Sequence, residues 1–187
     1  MTKRPPREFN AREPDFLIDR MLRTAVNHLR AAYKLDLGLG TEGYSSSFLR
    51  VLAFEILLKA VCVAERGRFP ASHDYAWLWD WLSPTTRENL RELALDRDPS
   101  STAVFSAEVL SGLTAAFEHC RYDFQFAIDR TEDEHVLRGH EWVAAGAPPE
   151  AADFRTYEDE LHSMIFALGT VVSEHGGLEI DDLMSIA

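Results

Sequence analysis

The sequence predicts an all-α protein, an antiparallel up-and-down bundle of five to six helices. Two observations carry this expectation. Apolar residues recur with a period near 3.6 in several segments. Glycine, proline and serine punctuate the chain at helix-length intervals, and no convincing strand or internal repeat interrupts the series. At 187 residues the chain fits one domain, long enough to bury about 70% of its unfolded surface.

Residues 1–14 hold Lys3, Arg4, Arg7, Arg12 and three prolines and read as a flexible basic arm. A single helical domain is expected over 15–175, followed by a tail at 176–187. From Asp15 to about Tyr33, Phe16, Met21, Leu22, Ala25, Val26, Leu29 and Ala32 lie at helical spacing. Gly38, Gly40 and Gly43 end that helix. Ser45 to Ser47 offer N-caps for a second helix through Glu65, apolar nearly all round and therefore central. Gly67 stops it and Pro70 prevents continuation.

Ser72 is the expected cap of a third, aromatic helix beginning at His73. Ser83-Pro84 is an N-cap followed by an N1 proline and opens a fourth helix to about Leu95. A long fifth helix is expected from Ala103 to Ile128. Residues 129–152 read as a long loop with a short helix near Glu141 to Ala145, and Asp153 as the cap of a last helix through Glu174.

The net charge of -12 is unevenly distributed. Residues 1–14 carry four basic and two acidic side chains, 15–127 carry 12 and 15, and 128–187 carry three and 14. Such an acidic third repels a phosphate backbone, which weighs against broad nucleic-acid binding and leaves only a small local RNA site open. No apolar run reaches the roughly 20 residues of a membrane span, and residues 1–14 lack the apolar stretch expected of a secretory signal. The expected location is the cytoplasm. Cys62 and Cys120 sit in apolar helical patterns and read as buried thiols, not a disulfide framework.

Glu55 and Lys59 stand four residues apart in the otherwise apolar second helix, with the glutamate on the favourable amino-terminal side. Burying such a pair is costly unless each charge finds partners. Two readings fit. In one, Glu55 meets Lys59 and either Arg121 or His73 in a buried network that fixes helix register. In the other, Lys59 and Arg121 contact a phosphate in a polar cleft and Glu55 orients them. His73-Asp74 reads as a helix start with a capping aspartate, or as a proton donor or acceptor near neutral pH. Arg121-Tyr122-Asp123 reads as a helical salt-bridge cluster or one wall of an anion groove. His135 and His140, among Glu132, Asp133, Glu134 and Glu141, have ligand types suited to a metal, but the loop constrains no geometry and a solvated acidic loop in contact with a partner is the preferred account. No metal site and no cofactor is assigned.

The run Phe54-Glu55-Ile56-Leu57-Leu58-Lys59-Ala60, then Gly67, Pro70 and His73-Asp74, then Phe117 with Arg121-Tyr122-Asp123-Phe124, resembles the HEPN superfamily over roughly residues 43–127. The resemblance implies a small helical bundle, frequent homodimerisation and a setting in prokaryotic defence or toxin–antitoxin systems. It also implies a nucleotidyltransferase-like or antitoxin-like protein partner. Active members pair an Arg-x4–6-His motif across a dimer to cleave RNA without metal. Here the positions that would hold the histidine after Arg121 are Phe126, Ala127 and Ile128. The expectation is therefore a catalytically degenerate interaction module.

The same spacing recurs at Arg23/His28, Arg66 or Arg68/His73, Arg130/His135 and Arg155/His162. On one helix Arg155 and His162 would lie within about 20° of each other, against about 140° for Arg23 and His28. A ribonuclease with a displaced site would thus use His73, Arg121, Arg155 or His162. A nucleotide- or small-ligand-binding bundle is the third reading.

Overall fold

A periodic apolar row needs something to pack against, and the computed structural model supplies it as a bundle of helices, all-α apart from one short ribbon. The structure describes residues 7–37, 43–122, 128–148 and 155–176. Helix α1 (Pro14–Asp36) starts on a proline, which fits the first helical turn, and buries Ile18, Leu22, Ala25, Val26, Leu29 and Ala32. Phe16, expected on that row, is 63% exposed because it lies about 160° around the helix from Ile18, the first residue of the buried stripe. Helix α2 (Gly43–Arg66) is the hub. From Val51 to Val63 nearly every side chain on it is buried, including both charges.

α1 and α2 run antiparallel. Asp36 at the end of α1 meets Arg50 near the start of α2, and Ala11 before α1 donates its N–H to Gly67 just after α2. Where no strand was expected, β1 (Glu8–Asn10) pairs antiparallel with β2 (Arg68–Pro70), Phe9 opposite Phe69. The second half of the basic arm is thereby anchored to the end of α2; residues 1–6 lie outside the described residues.

Helix α3 (Tyr75–Asp80) is shorter than expected and starts later: Asp74, not Ser72, is its cap, accepting from Trp77 N–H at 3.0 Å. His73 therefore precedes the helix. Helix α4 (Pro84–Arg97) has the expected Ser83 cap and N1 proline. Helix α5 (Ala107–Arg121) is shorter than the expected 103–128, because Ser106 caps it and Phe105 adopts a left-handed backbone just before. Residues 123–127 lie outside the described residues.

The expected loop over 129–152 contains a full helix, α6 (Glu132–Ala144). Helix α7 (Glu158–Gly176) closes the bundle; the expected cap Asp153 and the tail from 177 lie outside the described residues. Seven helices thus occur among the described residues, against five to six expected. No helix there is long and apolar enough to cross a membrane.

Leu57, Leu58, Leu78, Leu110, Leu113, Ile165 and Leu168 join one continuous core, each large side chain contributing about 1.5–3 kcal/mol on burial. Cys62 lies in it, its thiol pushed up to about 12 by burial, so it packs as a hydrophobe. Gly112 explains how the last segment seats on α5: a Cβ there would fall 2.2 Å from the Tyr157 ring. Gly112→Ala is therefore expected to destabilise the fold by about 1–3 kcal/mol in urea unfolding. Most of that loss should vanish in a Tyr157→Gly background, where the ring is gone and the left-handed backbone at 157 is relieved.

Candidate functional site

The charged pair of α2 lies inside the bundle, with Glu55 at 4% and Lys59 at 9% exposure. One helical turn brings Lys59 Nζ to Glu55 Oε1 at 2.7 Å. Tyr75, first residue of α3, donates its hydroxyl to Oε2 at 3.0 Å. His73 Nδ1 sits 2.8 Å from Oε2 and 3.0 Å from Oε1. A carboxylate only accepts hydrogen bonds, so Nδ1 carries a proton and donates it to Glu55.

Aromatic packing fixes these groups. The His73 imidazole stacks on Phe117 of α5 at 4.9 Å, and Phe117 stacks on Phe48 of α2 at 5.6 Å. Tyr75 meets Phe54 edge-on at 5.3 Å, and its backbone N–H donates to Thr114 Oγ1 of α5 at 3.1 Å. Burial, with the Glu55 charge adding to it, pushes the Tyr75 phenol well above its ordinary value, so it remains a neutral donor. The Lys59 ammonium also lies 5.9 Å from the Phe69 ring centre. Glu55, Lys59 and Tyr75 interlock away from solvent. Only the His73 side chain, 55% exposed, reaches the surface.

Of the residues singled out in the sequence, Glu55, Lys59 and His73 converge. Arg121 does not join them. It is the last residue of α5, one turn beyond Phe117, and its guanidinium stands 4.9 Å over the Tyr122 ring. The expected meeting of Glu55 with Arg121 is thus replaced by donors from His73 and Tyr75. Asp74 caps α3, and Asp123 lies outside the described residues.

The displaced pairs fare differently from their spacing. Arg155 precedes α7, so it shares no helix face with His162; it lies 4.5 Å over the Tyr157 ring. Arg23 pairs with Asp19 at 2.9 Å and Arg68 with Glu8 at 2.9 Å, while Arg66 lies 4.4 Å over Trp81. His135 and His140 fall on α6 about 140° apart around its axis. Among the described residues no group of three acidic, histidine or cysteine side chains could hold a metal.

Three features escaped the sequence reading. Tyr75 supplies a donor to Glu55, and its only signal was a tyrosine two residues after His73. Glu65, near the end of α2, accepts from Ser83 N–H at 3.1 Å and Thr86 Oγ1 at 2.8 Å, so one carboxylate clasps the start of α4. Burial pushes its carboxyl up, but these donors outweigh burial and hold it below its ordinary value.

The third is a cluster joining Arg50, Asp36 and His162 from α2, α1 and α7. Burial opposes ionisation of Asp36, yet hydrogen bonds from Arg50 and Ser46 keep its carboxyl low. A shallow groove of about 210 Å³ runs beside α3, α4 and α5, lined by Trp79, Asp80, Arg87, Arg91, Phe105 and Ser106. There Arg91 stands 5.1 Å over Trp79, and Arg87 pairs with Asp80 at 2.9 Å.

Comparison with family models, with curated proteins and with solved structures found no match to this chain.

The geometry yields two predictions. Glu55→Gln leaves the Lys59 charge buried without its counter-ion and should cost about 3–5 kcal/mol in chemical denaturation. Glu55→Leu combined with Lys59→Met should recover much of that loss. His162 is held below its ordinary value by burial first and by the Arg50 charge second, against the opposing pull of Glu158, Asp159 and Asp36. The unfolded chain therefore binds the proton more readily. Its contribution to stability is full above about pH 6.5 and is lost as pH falls through the lower folded value. His162→Gln should flatten the thermal-melt dependence in that range.

Proposed function

We propose that this chain is a HEPN-like helical interaction module without a ribonucleolytic centre. In this reading it works in the cytoplasm, as a homodimer and with a nucleotidyltransferase-like or antitoxin-like partner, in a prokaryotic defence or toxin–antitoxin setting. One observation supports the lack of a nuclease centre: Arg121, Arg155 and His73 are each engaged with another side chain of the bundle. Arg121 rests on Tyr122 and Arg155 on Tyr157, whereas His73 spends its Nδ1 proton on Glu55. Lys59, the cation paired with that histidine's carboxylate, is itself buried.

Purified protein incubated with mixed RNA in excess chelator should give no cleavage above buffer, while sedimentation returns the mass of a dimer. Metal-independent cleavage abolished by His73→Ala, Arg121→Ala or His162→Ala would overturn this reading in favour of an endoribonuclease with a displaced site. The groove between Arg87 and Arg91 favours a second reading, a bundle that binds a small anionic ligand such as a nucleotide. Native mass spectrometry would promote it on finding a co-purifying anion that Arg91→Ala releases.

A further inference from the structure

Helix α6 has both of its ends specified. At its start Thr131 Oγ1 accepts from Glu134 N–H at 3.3 Å while the Glu134 carboxylate accepts from Thr131 N–H at 2.8 Å, a reciprocal capping box. At its end Gly146 takes a left-handed backbone; Ala147 N–H donates to Trp142 C=O at 2.9 Å and Gly146 N–H to Val143 C=O at 3.0 Å, the Schellman pattern. The Trp142 indole N–H closes the turn on Pro148 C=O at 3.0 Å. Both ends are specified, yet no residue of this 13-residue helix is buried. Helices of this length are marginal in water without tertiary packing.

The sequence nonetheless gives it an apolar stripe. At about 100° per residue, Val136, Leu137, His140, Val143 and Ala144 share one face, with Asp133 at its amino-terminal end. Val136 is 48%, Leu137 57% and Val143 65% exposed. Gly139, beside the stripe, has no heavy atom within 4 Å of where a Cβ would stand, so its smallness serves no contact within the described chain. Glu132, Asp133, Glu134 and Glu141 outnumber Arg138 on the helix, and the region from 128 onward carries 14 acidic against three basic side chains.

We propose that α6 docks a basic amphipathic helix of another protein, its apolar face against Val136, Leu137 and Val143 and its Lys or Arg residues against the flanking carboxylates. The inference rests on the interaction-module reading and names the partner's chemistry. A second copy of the chain fits poorly, because it would bring the same negative charges to the contact. Nucleic acid fits worse for the same reason.

The test uses the full chain and a fluorescent Leu/Lys amphipathic peptide of about four turns, with a Leu/Glu peptide of equal length as control. The Leu/Lys peptide should bind in low salt and the Leu/Glu peptide should not. Leu137→Ser with Val143→Ser should weaken binding by about tenfold or more, and His135→Ala, on the opposite face, should leave it unchanged. Raising salt to several Debye-shortening steps should weaken it about fivefold. Because these side chains are exposed, the double variant should melt like the wild type.

Equal binding by the double variant reduces the effect to bulk charge and overturns the proposal, as does the absence of binding. A wild-type dimer that the double variant splits makes a second copy the occupant and also overturns it. A lowered melting temperature does so too, by making another segment of this chain the occupant. RNA cleavage would sink the interaction-module reading without touching these peptide results, so the two failures are distinguishable.

Discussion

A carboxylate placed in the middle of the most buried helix is tolerable only if donors surround it, and the architecture around α2 follows from how Glu55 finds them. Lys59 comes from the same helix, one turn on. His73 and Tyr75 come from the segment that follows the β2 turn. To deliver both, the chain must reverse after Gly67, cap α3 at Asp74 and press Tyr75 between Phe54 and Phe117. The placement of α3 and its contact with α5 are thus consequences of satisfying one charge. The penalty for a mispaired alternative is large, which makes the network a specifier of register as much as a source of stability.

The same device recurs along α2. Near its start, Arg50 holds Asp36 at the end of α1, with His162 of α7 close enough to feel both charges. At its middle, Glu55 gathers Lys59, His73 and Tyr75. Near its end, Glu65 takes the Ser83 N–H and Thr86 hydroxyl and so seats α4. Three levels of an apolar helix each carry one polar tie, and each tie reaches a different neighbour. Hydrophobic burial supplies the driving force without direction; these ties supply the direction.

The helices were legible in the sequence because burial imposes period 3.6 and because Ser83-Pro84 and Gly67 are local signals read one residue at a time. The Glu55–Lys59 pair was legible for the same reason: charge in an apolar run stands out. Its partners were only half legible. His73 and Arg121 were equal candidates by composition, and what separated them is tertiary: His73 stacks on Phe117 beside Glu55, whereas Arg121 ends α5 one turn further on, over the Tyr122 ring. The ribbon between Glu8–Asn10 and Arg68–Pro70 gave no alternation long enough to read, since three residues define no period. α6 was hidden differently. Its Glu- and His-rich sequence looks like a solvated loop until the caps at Thr131 and Gly146 are considered together, and they lie 15 residues apart.

The use made of His73 bears directly on chemistry. An imidazole acting as a general base needs a held ring and access to solvent, and the Glu55 contact holds this one while its side chain stays 55% exposed. Cleaving a phosphodiester also needs a cation placed where charge develops on the phosphate. The neighbouring cation, Lys59, is turned into the bundle against Glu55 and the Phe69 ring, where its charge balances the carboxylate. Swinging it outward would leave Glu55 without its counter-ion in a site of low dielectric, at a cost of several kcal/mol. Satisfying the core and serving a phosphate are competing demands on the same lysine, and the packing around Glu55 meets the first.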